Sequence, residues 1–363
     1  MSFDHCHYVP CLRWNQGEYQ AILNLKPETK QFITPLIEVS EIKWDFEEKK
    51  FNKTIDQHLD KFAKRIKEKW GKKKCFVDLN LINPPTRMAD GRHPVNFVFS
   101  DLRMKDVHGI PVVGIGRDQP YRRSTKEVLA QDVFGLCFRI GIEQTAKSDF
   151  EGQIDSLLTF YSLRAKDVDF ILDLKAPNFV PVEGFSKVIQ NIFNKIPHIR
   201  SWRSFTIIGT SFPQSMSEVT KGIEYIPRYE WLLYKALIAS LLETGGRLPT
   251  FGDYTITHPN LLEMDLRKIK PSANIRYTID EEWCIVKGAS VRVPGGYDQF
   301  HSLCNTLIKL PCFVGKDFSD GDKSIVDCAQ RKVGHGNLPK WKRVCTNHHI
   351  EKVVYDISNF FVS

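Results

Sequence analysis

No run in the 363-residue chain approaches the ~18 consecutive apolar residues of a membrane span, so no transmembrane helix is expected. The opening, MSFDHCHYVPCLRW, has no basic start followed by an apolar stretch, and no secretory leader is expected. The nine cysteines are odd in number and contain no CxxC pair, which argues against a disulfide framework and for reduced thiols in a cytoplasmic protein. No GxGxxG follows the first strand-like run, so the phosphate turn of a dinucleotide domain is missing. GxSxG, P-loop and EF-hand patterns are absent too, and no cysteine stands in a known catalytic context.

What remains is ordinary globular composition, 42% hydrophobic and 26% charged, which excludes a disordered chain, a collagen or a coiled-coil rod. Basic residues outnumber acidic ones by 51 to 43. Part of the surplus is local, in KFAKRIKEKWGKKK (61–74) and QRKVGHGNLPKWKR near the C-terminus. Such runs permit binding of a nucleotide or nucleic acid without indicating it, and Phe62, Ile66 and Trp70 at helical spacing fit a solvated helix end better.

Short apolar runs alternate with helical patterns. Strands are predicted at 33–39, 75–79, 111–116, 136–140, 170–174, 205–210 and 250–256, with an eighth at 274–279 and 283–286 as its competitor. Helices are predicted at 53–70, 124–133, 150–163, 185–193 and 229–242. Eight strand–helix units fit an α/β fold of the (β/α)8 TIM-barrel type better than an open sheet. The expected division is a barrel over 1–290 and a helical C-terminal appendage over 291–363, with helices at 294–310, 317–333 and 348–361.

Charged residues cluster at strand ends. Alternation puts Asp78 and Asn80 on one face, and Asp173 and Lys175 on another; Glu38, Arg117, Arg139, Asp253 and Arg276 lie at other strand ends. In a barrel these ends meet at one rim, where barrel enzymes place their sites. Three readings stand: a Mg2+ site for phosphoester hydrolysis, a ligand pocket without turnover, and a structural salt-bridge network. Under the first, Glu38, Asp78 and Asp173 hold Mg2+ while Lys175 and Arg139 grip phosphate. Asp4, His5, Cys6, His7 and Cys11 at the amino end have zinc-like donors but no second pair at ligand spacing, so a loose segment is the plainer reading.

YVPCLRWNQGEYQAILNL with ITPLIEV, and GDKSIVDCAQ with GNLPKWKRVCTNHHIEKVV, resemble the opening and closing blocks of the beta-protein family. The family is named for the beta gene of the gop–beta–cII operon of a satellite coliphage. Asn15 stands where the family pattern carries a basic residue. The resemblance implies an antiphage-defence protein of mobile genetic elements that restrains a toxic operon partner. Its matching positions are Arg13, Trp14 and Glu18, then Asp322, Trp341, Arg343, Asn347, His348 and His349. Their structural readings are an Arg13–Glu18 ion pair, two packed tryptophans and an Asn347 helix cap. The expected function is therefore a regulatory or neutralising subunit, with Arg13, Asn80, Arg117, Arg139, Asp253, Arg276, Arg343 and His348 as ligand contacts. The alternative is a metal-dependent phosphodiesterase or nuclease at the same rim. No membrane partner is expected.

Overall fold

The computed structural model describes residues 3–260 and 271–361. Eight parallel strands close a barrel: β1 (Tyr8–Leu12), β2 (Leu36–Glu38), β5 (Cys75–Asp78), β6 (Gly109–Val113), β7 (Leu136–Gly141), β8 (Val168–Asp173), β9 (Ser204–Gly209) and β11 (Thr250–Asp253). They run around it in the order β1-β11-β9-β8-β7-β6-β5-β2. Two short strands, β3 (Trp44–Asp45) and β4 (Lys50–Phe51), make a hairpin in the connection leaving β2. A separate antiparallel sheet consists of β10 (Gly222–Pro227), β13 (Glu282–Ser290) and β12 (Ser272–Thr278), in that order.

The (β/α)8 architecture expected from the alternating pattern is present, with one strand exchanged. Tyr8–Leu12 is the first barrel strand, whereas Asn274–Ile279 and Trp283–Val286 both belong to the side sheet, as neighbours. Pro10 lacks an amide donor and so hides the first strand. The side-sheet segments carry the same β-branched and aromatic residues that a barrel strand would. The amino end is not loose, because Thr250 Oγ1 donates to the Asp4 carbonyl at 2.7 Å and Tyr234 OH to that of His5 at 3.2 Å.

The barrel encloses Val9, Cys11, Leu36, Phe76, Ile110, Val112, Cys137, Ile171, Ile208 and Tyr254. A larger apolar layer fills the space between strands and outer helices. Helix starts follow local chemistry: Asp118 accepts from the Tyr121 amide ahead of helix Gln119–Leu129, and Thr54 makes a capping box for Ile55–Leu59. The expected helix at 124–133 therefore begins five residues earlier, and that at 53–70 is broken into Ile55–Leu59 and Phe62–Lys69.

A second core joins Phe212, Val219 and Ile256 to the side sheet and to helices Gln299–Leu307, Asp320–Ala329 and the first half of Leu338–Phe360. The appendage is thus helices on a sheet whose strands depart from the chain as early as Gly222. The second half of Leu338–Phe360 packs Ile350, Val353 and Ile357 on the barrel, tying the two cores together. No described helix is long and apolar enough to cross a membrane.

Candidate functional site at the barrel mouth

On four strands an inward apolar residue is followed, two positions on, by an inward charge: Leu36 then Glu38, Phe76 then Asp78, Cys137 then Arg139, and Ile171 then Asp173. β6 is followed at the same level by Gly114, where a Cβ would stand 2.6 Å from the Arg139 carbonyl oxygen. Glycine lets that neighbouring strand pass close behind the charged layer.

Arg139 is the centre. Its Nη1 donates to Glu38 at 2.7 Å and to Asp78 at 2.9 Å, its Nε to Asp173 at 2.9 Å, and its Nη2 to the Tyr254 hydroxyl at 2.8 Å. Tyr254 in turn donates to Asp173 at 2.8 Å. Burial opposes the charge on Arg139, but Tyr254, Asp173 and Glu38 outweigh it and hold the guanidinium pKa well above its ordinary value. Burial and then Asp173 push the Tyr254 hydroxyl well up, so it stays a donor.

Two further arginines complete the layer. Arg117 Nη2 donates to Asp78 at 2.7 Å, and Arg13 Nε lies 3.8 Å from Glu38. Three guanidiniums therefore face three carboxylates, and all six side chains are at most 12% exposed. Backbone amides of Asn80 and Lys175 donate to Asp78 and Asp173 at 2.9 and 2.8 Å, while the Lys175 ammonium turns outward to Glu143.

Glu38, Asp78 and Asp173 do converge, but on a guanidinium. They do not fit a Mg2+ ligand set, because Arg139 already fills the space between them and a second cation would have to displace it. Beside this layer is a cleft of about 60 Å3, several times the ~10–15 Å3 one water needs, lined by Asn80, Asn83, Thr86, His93 and Arg117. Arg117 Nε is buried there without a hydrogen-bond partner. Helices Pro94–Met104 and Gln119–Leu129 both begin at this cleft.

Four expected ligand contacts lie away from the rim. Asp253 points out of the barrel, accepting from Tyr8 OH at 2.5 Å and facing His349 Nε2 at 2.9 Å. One register step separates it from the inward Tyr254, which sequence reading passed over. Arg276 belongs to the side sheet and donates to the Ile256 carbonyl at 2.9 Å. Arg343 pairs with Asp320 and with Ser324 on the neighbouring helix. His348 is buried against Asp322, away from the mouth.

The other terminal-block readings also change. Arg13 pairs with Glu38 and Glu41, and Glu18 with Lys342, so there is no Arg13–Glu18 pair. Asn347 is inside a continuous helix, bridging the Gly321 amide to the Ala21 carbonyl rather than capping. Trp14 and Trp341 are packed as expected, the latter parallel to Phe300. The exposed aromatics Trp44, Phe46 and Phe51 on the β3–β4 hairpin were missed. Their signal was legible: aromatic residues recur across a Lys/Glu-rich turn in KWDFEEKKF.

A family model described as Beta protein matches residues 8–355, taking in the barrel and most of the appendage. No curated protein matches the chain.

Proposed function

Because the chain belongs to the Beta protein family, we propose that it is a regulatory or neutralising protein of antiphage defence. It binds a toxic partner encoded beside it and holds a phosphate-bearing ligand at the barrel rim. One juxtaposition carries this reading. The rim charges are spent on one another, while the hairpin in the loop leaving β2 exposes Trp44, Phe46 and Phe51 at 44%, 46% and 55%. Aromatic side chains left in water at one loop tip suit a protein interface better than a folded interior.

A hydrolytic centre would instead need a carboxylate or imidazole free to take a proton or a metal, and the three rim carboxylates are engaged. A phosphate group would sit in the neighbouring cleft against Arg117, whose buried Nε–H has no hydrogen-bond partner.

Co-expression with the product of the adjacent gene is expected to give a stable complex. Trp44→Asp should weaken that complex by about 30-fold or more, the size of an aromatic hot spot, without lowering the melting temperature. Purification of the chain alone, or full binding by Trp44→Asp, would count against the reading. For the cleft, titration with inorganic phosphate and with AMP is expected to show saturable binding. Arg117→Ala should weaken it at least tenfold, since a charge-assisted contact contributes about 1.5–3 kcal/mol. An unchanged titration removes the phosphate seat while leaving the partner interface untouched.

A further inference from the structure

The opposite end of the barrel carries a second cluster with different chemistry. Just before β1 the chain makes a turn in which ligand atoms of Asp4, His5 and Cys6 all lie within 4.8 Å of one another. Among the described residues this is the one group of three or more His, Cys, Asp or Glu donors so close. The turn is fixed by the barrel. The Asp4 carbonyl accepts from the His7 amide at 3.1 Å and from Thr250 Oγ1 at 2.7 Å, and the His5 carbonyl accepts from Tyr234 OH. Asp4 Oδ1 accepts from the Cys6 amide at 2.9 Å, which sets the carboxylate beside the thiol.

We propose that Asp4, His5 and Cys6 form a three-ligand site for a zinc-like divalent cation, with its fourth position open to a cavity at the N-terminal end of the barrel. The donor set is one carboxylate oxygen, one imidazole nitrogen and one sulfur, which suits Zn2+ and not Mg2+ or Ca2+. Tetrahedral zinc ligands stand ~3.3–3.6 Å apart, so closing the set takes side-chain shifts of about an ångström. Carboxylate and thiolate together neutralise the ion. His7 is not among these close donors, and its Nε2 faces Thr34 Oγ1 at 2.9 Å. Asp4 and Cys6 instead border a cavity of about 460 Å3, whose walls include Gln31, Thr34, Lys74 and Arg203. That space admits a water or a small anion as the exchangeable ligand, with Lys74 supplying positive charge, while Arg203 is paired with Asp169 in the same wall. The site lies at the far end of the barrel from the rim and is independent of the function proposed there.

The test uses the full chain with no added histidine tag. Titration with Co2+ should reach saturation at one equivalent and produce a near-ultraviolet thiolate-to-cobalt band, and Zn2+ should displace the cobalt. Cys6→Ser should abolish the band. Cys6→Ser and His5→Ala should each weaken Zn2+ binding, measured by calorimetry, by about 100-fold or more. Asp4 and Cys6 are exposed, so melting temperatures without metal should match the parent. Absence of saturable binding, or parental affinity in either variant, overturns the site.

Discussion

Arg139→Ala is expected to destabilise the fold by about 3–5 kcal/mol, because it leaves Glu38, Asp78 and Asp173 together in a nearly closed barrel end without their shared cation. The loss of contacts is the smaller part. Three carboxylates within reach of one guanidinium repel one another once it is gone, and Arg117 and Arg13 lie at the edge and neutralise only Asp78 and Glu38. Asp173 keeps the Tyr254 hydroxyl and the Lys175 amide as donors but loses its charge partner. Urea unfolding of the variant should show the lower midpoint, and adding Asp173→Asn should recover part of the loss by removing one of the stranded charges. A single variant within ~1 kcal/mol of the parent would mean that water reaches the mouth and the network contributes little.

Asp322→Ala should have a similar effect from the other core, about 3–5 kcal/mol. Asp322 is buried and accepts from Tyr277 OH at 2.7 Å and from Ser319, and His348 Nδ1 is 2.8 Å from its Oδ2. The second nitrogen of His348 faces the Thr278 carbonyl at 2.8 Å. The ring also stacks on Tyr277, with centroids 3.8 Å apart. Alanine removes the common acceptor of all three groups and leaves them buried.

The same region gives a pH signature. Burial works to raise Asp322 and Asp253, but His348 with Ser319 and Tyr277, and His349 with Tyr8, hold both below the usual carboxylate range. Their contribution to stability is complete above the unfolded value of about 3.9 and is lost as pH falls through the lower folded values. Burial lowers His349 despite Asp253, and it lowers His7 to about 4. The unfolded imidazoles take up protons near ~6.5 while the folded ones do not, so stability also declines as pH falls from there. Unfolding free energies at pH 8, 5.5 and 3 should therefore drop in two stages. In Asp322→Ala the lower stage should shrink, whereas an identical acid profile for parent and variant would show that the pair does not set it.

Legibility varied with how local each determinant was. Asp78, Arg139 and Asp173 could be placed at one barrel mouth because alternation within a strand fixes which residues share a face. The partner of each could not be read, since Arg139 meets carboxylates from three other strands, up to 101 residues away. Asp253 and His348 were misplaced for the complementary reason. Asp253 is one residue from an inward position, and a single step reverses the face. His348 lies in a helix joining two cores, where the hydrophobic pattern does not single out one buried side.

By itself the sequence determined the alternating strands and helices, the barrel that follows from them, the family, and the set of charged strand ends. These depend on periodicity and on short blocks, which are properties of neighbouring residues. Only the tertiary structure decided that Tyr8–Leu12 closes the barrel while 274–286 does not, and that the rim carboxylates surround an arginine instead of a metal. It alone also gathered Asp4, His5 and Cys6 at the opposite end. Those outcomes depend on distances between segments far apart along the chain, and burial makes such distances decisive, because a charge removed from water must find its partner wherever the fold brings one.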